Sequence, residues 1–387
     1  MVDSVQPRID SMKLARKLEI SREKTGASPQ VFYDAQAFLS RNGGTGKGIY
    51  LRNFIAPYAE EFVGLATKGF SYFDYHLVQG GFSRYHLWHQ LFLPYLLRKW
   101  RPAFFLAPYN TAPLLIPKQT RLILILHDLI LLNRSNVPNL AQRVDNEFRR
   151  LLIPRAVSRA HVVVTVSSYV KRQIEERFPS ARIQVIPNMI AESWFVGDQC
   201  RTLTQRENYI LTVTSDVPHK NNERAFEAYA RFAHGTDPSS TPSLRVVGLG
   251  NSPAAYSRMA ENLGIRDRIQ FEPLLSESKL QNLYRSAKAV LVPSLSEGFG
   301  ITVLEGMASG TPVLASGAAS LPEVAGLAAE YFNPADVNSM AAALTEVLGS
   351  ENRQRMMIRE GLIQANRFHP DRVGRQIRSF WDELLGR

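Results

Sequence analysis

Glu297 and Glu305 stand eight positions apart, in a stretch from Val290 to Gly326 that reads V-L-V-P-S-L-S-E-G-F-G-I-T-V-L-E-G-M-A-S-G-T-P-V-L-A-S-G-A-A-S-L-P-E-V-A-G. The apolar run Ala289 to Val292, ended by Pro293, predicts a buried parallel strand. A Glu-Gly-Phe-Gly turn follows, then a helix from about Ile301 to Ser309 stopped by Gly310, then a second strand over Val313 to Ala315. A helix begun in this way offers the N–H groups of Phe299, Gly300 and Ile301 to a phosphate. Glu297 lies at that mouth, beside whatever the phosphate carries. Glu305 lies roughly 6–8 Å further in, where a carboxylate can accept paired hydrogen bonds from adjacent hydroxyls such as those of a ribose. The arrangement suits a nucleotide diphosphate sugar. The same spacing also describes two ordinary glutamates near a helix N-terminus, favoured there by the helix dipole.

Three other groups with usable chemistry fall at turns. His219-Lys220-Asn221 precedes a helix beginning near Asn222, and a lysine at a helix mouth can neutralise a diphosphate leaving group. His127-Asp128 directly follows the apolar run Leu122 to Leu126, at the carboxyl end where open α/β sheets place their sites. The histidine can serve a sugar hydroxyl while the aspartate orients its ring. Asn42 to Gly48 reads N-G-G-T-G-K-G, a turn between strand and helix that can bring backbone N–H groups against a phosphate. It is not a Walker P-loop, because Gly48 stands where that motif needs Ser or Thr and Arg41 where it needs its first glycine. A plain flexible turn is the alternative. The chain has no Asp-x-Asp metal motif, and its single cysteine, Cys200, excludes an intramolecular disulfide and any multi-cysteine zinc site.

E-G-F-G-I-T-V-L-E followed by G-M-A-S-G-T-P-V resembles the E-x7-E signature of the retaining GT-B glycosyltransferases of family 4, as do the flanking L-V-P-S and S-L-P-E-V-A-G. The resemblance runs from about residue 31 to the end and is densest in the second half. It implies an α/β GT-B fold, two Rossmann-like domains facing each other across a donor-binding cleft. It also implies that Glu297 contacts the transferred sugar and that Glu305 holds the ribose. The Gly43-Gly44 turn resembles the family's loop facing the donor diphosphate, Gly248-Leu249-Gly250 its donor-side G-x-G turn, and His127-Asp128 its H-D motif beside the sugar. The chain departs from the family where an Arg-Lys-Asn run after a glycine is usual: His219 stands for the arginine and Thr214 for the glycine. A histidine is a weaker and pH-dependent phosphate clamp.

The resemblance therefore implies His127, Asp128, Lys220 and Glu297 as catalytic residues. Gly43, Gly44, His219, Lys220, Gly248, Phe299, Gly300, Ile301 and Glu305 would bind the donor. The implied reaction is retaining transfer of a mannose- or glucose-type hexose from a nucleotide diphosphate sugar to a saccharide or lipid-linked saccharide hydroxyl, with no cofactor and no metal. Bacterial surface polysaccharide or lipopolysaccharide assembly is the usual setting. A sugar phosphorylase or a sugar-phosphate synthase would share the fold and signature.

The elements that must position these groups follow from an alternation of apolar runs and helical stretches. Val31 to Gln36, Phe104 to Ala107, Leu122 to Leu126 and Val162 to Val166 read as strands of one sheet. Tyr209 to Val213, Leu244 to Gly248 and Ile269 to Phe271 begin a second series. The chain divides on this reading into a polar tail over 1–29, an acceptor-side Rossmann-like domain over 30–205 and a nucleotide-sugar domain over 206–368. A final helix, 369–387, by the resemblance crosses back to the first domain. At 387 residues both domains can have full-sized cores.

The net charge of +11 points to anionic partners: sugar nucleotides, phosphorylated lipids, a membrane face or nucleic acid. No aromatic RNA-binding motif or zinc-finger spacing is present, so a non-catalytic basic nucleic-acid-binding protein is the different-class alternative. No apolar run approaches the ~20 residues of a spanning helix, and the N-terminus lacks a signal-peptide core, which makes cytoplasmic the expected location. Two basic stretches leave peripheral contact with the inner membrane face open. Met12 to Lys24 fits a basic amphipathic helix as well as a surface helix or tail. Arg84 to Arg101 fits a membrane contact as well as a core helix kinked or broken at Pro94.

Overall fold

A computed structural model describes residues 30–38, 46–67, 76–81, 85–132, 140–197, 200–249 and 253–387. The Gly43-Gly44 turn, Gly250 and the stretch 12–24 lie outside the described residues. The described chain forms two compact units: one takes the residues up to Val166, Val170–Ile186 and Gln376–Arg387, the other Ser167–Tyr169 and Pro187–Arg375.

The first unit is a parallel sheet of β1 (Val31–Asp34), β2 (Val63–Ala66), β3 (His76–Gln79), β4 (Phe104–Ala107), β5 (Arg121–Leu126), β6 (Ala160–Thr165) and β7 (Ile183–Val185), in the order β3-β2-β1-β4-β5-β6-β7. Its central strands are apolar on both faces because helices cover both, and all four residues of β1 and of β4 are buried. Helix α1 (Gly46–Ile55) takes in Gly46, Lys47 and Gly48, the last three residues of the expected turn. The basic-aromatic stretch is helical from Tyr85 through Trp100, so the chain does not break at Pro94. A π-turn at Trp88–Phe92 directly precedes α2 (Leu93–Trp100), and Pro94 falls in the first turn of α2, next to that irregularity. Helices α3 (Leu140–Arg159) and α4 (Ser168–Arg177) flank β6.

The second unit has β8 (Tyr209–Val213), β9 (Ser243–Val247), β10 (Ile269–Glu272), β11 (Ala289–Val292), β12 (Val313–Ser316) and β13 (Ala329–Phe332), ordered β10-β9-β8-β11-β12-β13 and all parallel. Its helices are α5 (Asn222–His234), α6 (Pro253–Asn262), α7 (Glu277–Ser286), α8 (Ile301–Ala308), α9 (Leu321–Ala325), α10 (Val337–Leu348) and α11 (Glu351–Ala365). Phe226 and Tyr229 of α5, Leu244 and Leu291 of the sheet and Leu344 of α10 meet in one buried core. Strand order reverses between β8 and β11, and the loops leaving these two strands diverge to opposite faces, opening a crevice at their carboxyl ends.

The unit boundary falls at Ile186/Pro187 rather than near residue 205. The stretch from Pro187 to residue 205 packs on the second unit: Trp194 is 3% exposed and its indole N–H donates to Glu277 at 3.0 Å. The last helix, α12 (Pro370–Leu385), places Trp381 in the core of the first unit, where its indole N–H donates to the Phe54 carbonyl at 2.8 Å. Among the described residues no helix is long and apolar enough to cross a membrane.

Candidate functional site

The crevice between β8 and β11 gathers the charged residues of the second unit's motifs. After β8 the chain turns through Pro218–Lys220 and enters α5 with Asn221 in the left-handed region, φ 59°. After β11 it runs from Pro293 to Gly300 and enters α8. The two loops are stitched together. The Leu295 N–H donates to the His219 carbonyl at 2.8 Å, and the Asn221 side chain donates to the carbonyls of Pro293 at 3.0 Å and Pro334 at 2.8 Å. Lys220 Nζ and Ser294 Oγ each lie 2.7 Å from the same oxygen, Oε1 of Glu297. That fixes the carboxylate and leaves Oε2 without a hydrogen bond among the described residues. Ser320, fully buried, braces the loop from beneath, its hydroxyl 2.9 Å from the Glu297 carbonyl and 2.8 Å from that of Phe299.

Gly300 caps α8 at φ 113°, and a Cβ there would meet Leu321 Cδ2 at 2.5 Å. No side chain caps this helix, and among the described residues the amides of Gly300, Ile301 and Thr302 find no acceptor. Such a terminus carries a partial positive charge and suits an anion. The Phe299 ring packs edge-on against Phe368 with centroids 5.4 Å apart, so its amide, not its ring, belongs to the helix mouth.

Glu305 lies one turn inside α8, about 6 Å along the axis. Its Oε2 accepts a hydrogen bond from the Tyr284 hydroxyl of α7 at 2.7 Å. Burial pushes its carboxyl up from 4.5 to about 7, with Tyr284 and Lys220 working downward and Glu277 upward. A folded-state value above the unfolded one means that this group stabilises the fold fully below pH 4.5, a contribution lost as pH rises through about 7. Ligand hydroxyls require the opposite state, an ionised acceptor. Nucleoside diphosphate binding near neutral pH is therefore expected to release a proton, measured by calorimetry in buffers of different ionisation enthalpy. Glu305→Gln should abolish that release; proton uptake by the native protein would contradict the assignment.

In the first unit, His127 follows β5, next to the reversal of strand order between β1 and β4. The Pro108 carbonyl accepts from the ring, and burial with Lys47 nearby pushes the imidazole down to about 3. The ring is thus neutral, with its proton toward Pro108, and its buried Nε2 has no partner, leaving a lone pair for a hydroxyl. Asp128 does not orient this ring. Its carboxylate accepts from the Ile130 N–H at 3.2 Å and faces Lys47 Nζ at 3.8 Å, while Asn110 accepts from the His127 N–H at 2.8 Å. The Pro108 carbonyl on the ring and the Asn110 side chain on the His127 backbone N–H, both from the loop between β4 and β5, do the positioning, which adjacency in sequence could not reveal.

Two family models match the chain: Glycosyltransferase Family 4 over residues 63–194 and Glycosyl transferases group 1 over residues 200–363. The chain belongs to the family 4, group 1 glycosyltransferases. It is 31% identical to the O-antigen chain mannosyltransferase RfbU of Salmonella typhimurium, over 53% of this chain and 56% of that protein. It is 32% identical to the MMP alpha-(1->4)-mannosyltransferase of Mycolicibacterium hassiacum, over 50% of this chain and 47% of that protein. The matched part thus spans about half the length of these relatives. Sucrose-phosphate synthase from Thermosynechococcus elongatus shares the GT-B fold, with a TM-score of 0.70 at 16% identity over 92% of this chain and 98% of that one.

In this family 4 chain the structure brings Lys220, Glu297, Phe299, Gly300, Ile301 and Glu305 into one crevice. His219 contributes its carbonyl to the loop stitching, and its half-buried ring stands where the family's arginine is usual. Thr214 replaces the family's glycine without strain, because it lies outside the left-handed region and its hydroxyl donates to Asn222 at 2.6 Å. Gly248, in contrast, must be glycine. At φ 99° a Cβ would sit 2.1 Å from the Thr214 carbonyl oxygen. Gly248→Ala is expected to cost about 3 kcal/mol and to displace the loop carrying Lys220. A melting temperature within 2 °C of native would contradict this, since about 1 kcal/mol moves a domain of this size by roughly 2–4 °C.

Sequence reasoning missed Ser294, Tyr284 and Ser320 as parts of the site. Ser294 was recoverable from its place three residues before Glu297. Tyr284 lies on a different helix, 21 positions from Glu305, and carries no local signal. Among the described residues no cluster of three or more His, Cys, Asp or Glu side chains could hold a metal ion.

Proposed function

We propose that this chain is a retaining hexosyltransferase that moves a mannose- or glucose-type sugar from a nucleotide diphosphate sugar to a hydroxyl of a saccharide or lipid-linked saccharide. The observation that carries the reading is the Lys220–Glu297 pair, 2.7 Å apart, set at the uncapped start of α8 with Glu305 one turn deeper. In this reading the ribose hydroxyls donate to Glu305, and the diphosphate meets Lys220 and the amides at Gly300 to Thr302. The transferred sugar lies against Glu297 Oε2, and His127 Nε2 accepts from a saccharide hydroxyl.

The bond between sugar C1 and the diphosphate oxygen breaks, and the acceptor oxygen bonds to C1 on the same face. The acceptor's proton passes to the departing phosphate oxygen. Donors already aimed at the developing charge account for most of the acceleration, and Lys220 with the helix amides takes the task that other folds give to a metal. The names of the two mannosyltransferase relatives support a mannose-type donor, and that of the O-antigen enzyme supports surface polysaccharide assembly.

The test is a transfer assay on the full chain with GDP-mannose and UDP-hexoses, with products read by NMR. An α-linked product from an α-linked donor, formed undiminished in EDTA, is expected. An inverted anomer or EDTA-abolished turnover would overturn the retaining, metal-independent reading. Transfer only to phosphate or a sugar phosphate would replace the acceptor class.

A further inference from the structure

The first unit has its own reversal of strand order, between β1 and β4, and the proposed reaction places no residue there. Open parallel sheets bind ligands at such a point, outside the carboxyl ends of the strands. β1 ends there with Asp34, and the chain runs on through a short 3-10 turn, Ala35–Phe38, that carries Gln36. Both polar side chains are buried, 1% and 5% exposed. Tyr33 lies in register beside Leu106 of β4, so Asp34 and Gln36 come level with the chain that leaves β4. There the Tyr109 hydroxyl donates to the Gln36 carbonyl at 3.0 Å. Burial and then the Asp34 charge push this phenol up, which sets the carboxylate near it. The next residue, Asn110, accepts from the His127 N–H at 2.8 Å, so one loop ties the end of β1 to the end of β5.

The fold does not satisfy the polar atoms gathered at this edge. Asp34 Oδ1 accepts from the Gln36 N–H at 2.9 Å, and among the described residues nothing donates to Oδ2. Burial pushes the carboxyl up to about 7, and only that N–H works downward. The Gln36 side-chain amide makes no hydrogen bond among the described residues, and its Nε2 is buried without a partner. His127 Nε2, at the end of β5, is in the same condition. Buried polar atoms left in this way cost stability unless a ligand completes them. The turn itself needs only Oδ1, which an asparagine would supply without burying a charge. An acceptor at Asp34 and a donor at Gln36 match a hydroxyl, which both donates and accepts, or two hydroxyls on neighbouring carbons. β1 and β5 lie two strand spacings apart, about 10 Å, an interval that one sugar ring hydrogen-bonded on both sides can bridge.

We infer that Asp34 and Gln36 form the subsite that selects the acceptor saccharide. The Asp34 carboxylate accepts from one of its non-reacting hydroxyls, and the Gln36 amide donates to the same hydroxyl or its neighbour. The inference rests on the proposed transfer to a saccharide, yet binding of a saccharide is read without turnover.

The experiment is saturation-transfer NMR of the full chain with the methyl α-glycosides of mannose, glucose, galactose and N-acetylglucosamine. The native chain should saturate at least one of them. Affinity for it should fall about tenfold or more in Asp34→Asn, which loses a hydrogen bond to a charged group, and about three- to tenfold in Gln36→Leu. Asp34→Asn keeps an oxygen for the Gln36 N–H, so its melting temperature should hold. Gln36→Leu removes an amide that no protein group satisfies, so its melting temperature should hold or rise, whereas a glutamine with a structural role would lose stability. In the transfer assay both variants should raise acceptor KM by the same factors and leave donor KM within about twofold. Undiminished saturation in both variants would overturn the inference, as would no saturation of any glycoside by the folded native chain, or a Gln36→Leu protein that is destabilised. Normal turnover with unchanged acceptor KM in the variants would overturn the subsite and leave the transfer reading in place. Saturation lost in the variants, with no turnover from any sugar nucleotide, would sustain the saccharide subsite and remove the transfer reading.

Discussion

Glu297→Gln is expected to lower kcat by about 10²–10³-fold while changing nucleoside diphosphate affinity less than about threefold. The amide keeps the volume of the carboxylate and can still bond to Ser294, so the loop should hold its shape. What disappears is the negative charge at Oε2, facing the position assigned to the transferred sugar, and one charge of the Lys220 pair. A nucleoside diphosphate lacks the sugar, so its affinity should barely register the change. Parallel losses in kcat and nucleotide affinity would show that Glu297 serves the phosphate-binding loop as a whole. Normal turnover would remove it from the chemistry.

Lys220→Ala is expected to be more damaging, because the lysine has two partners in the account. Its ammonium holds Glu297 Oε1 at 2.7 Å, and its remaining N–H groups are available to the leaving diphosphate. Turnover should fall by about 10³-fold and nucleoside diphosphate affinity by about tenfold, since the charge acts on both the bound and the departing phosphate. Both members of the pair are largely buried, 19% and 15% exposed, so removing the cation also strands the carboxylate. The double variant Lys220→Ala with Glu297→Gln should therefore lose much less than the product of the single losses. Multiplying effects would mean that the two residues act at separate places. Lys220→Arg should rescue only in part, because a planar guanidinium cannot reproduce a compact ammonium between a carboxylate and a phosphate.

The second unit was readable because its signals are local. β11 and β12 are uninterrupted apolar runs, and the helix between them is bounded by Gly300 and Gly310, both in the left-handed region at φ 113° and 64°. The strands that escaped the sequence reading, β2, β3, β7 and β13, are three or four residues long and, unlike the equally short but wholly apolar β4 and β11, are interrupted by glycine or polar residues (VGLA, HLVQ, IQV and AEYF). The unit boundary escaped for a different reason. Arg206 reads as a surface cation in a polar stretch, yet it is 7% exposed. Its guanidinium donates to the carbonyls of Ala287 at 2.9 Å and Gly310 at 2.6 Å, just past the C-termini of α7 and α8. Carbonyls at two helix ends, where the dipole is negative, supply what a carboxylate would have supplied. The site divided along the same line: Glu297, Lys220 and the helix mouth were visible as residue types at turns. The Tyr284 contact to Glu305 and the Pro108 contact to His127 arise only when distant segments fold together.

The central claim is that the crevice between β8 and β11 holds a nucleoside diphosphate. The most direct test is a thermal-shift titration with GDP, UDP and ADP on the native chain and on Glu305→Ala. Selective stabilisation by one nucleotide is expected, by about 2.7 kcal/mol at 100 times its dissociation constant, together with a clear loss of affinity in Glu305→Ala. No shift with any of the three, or the same shift in the variant, would contradict the claim.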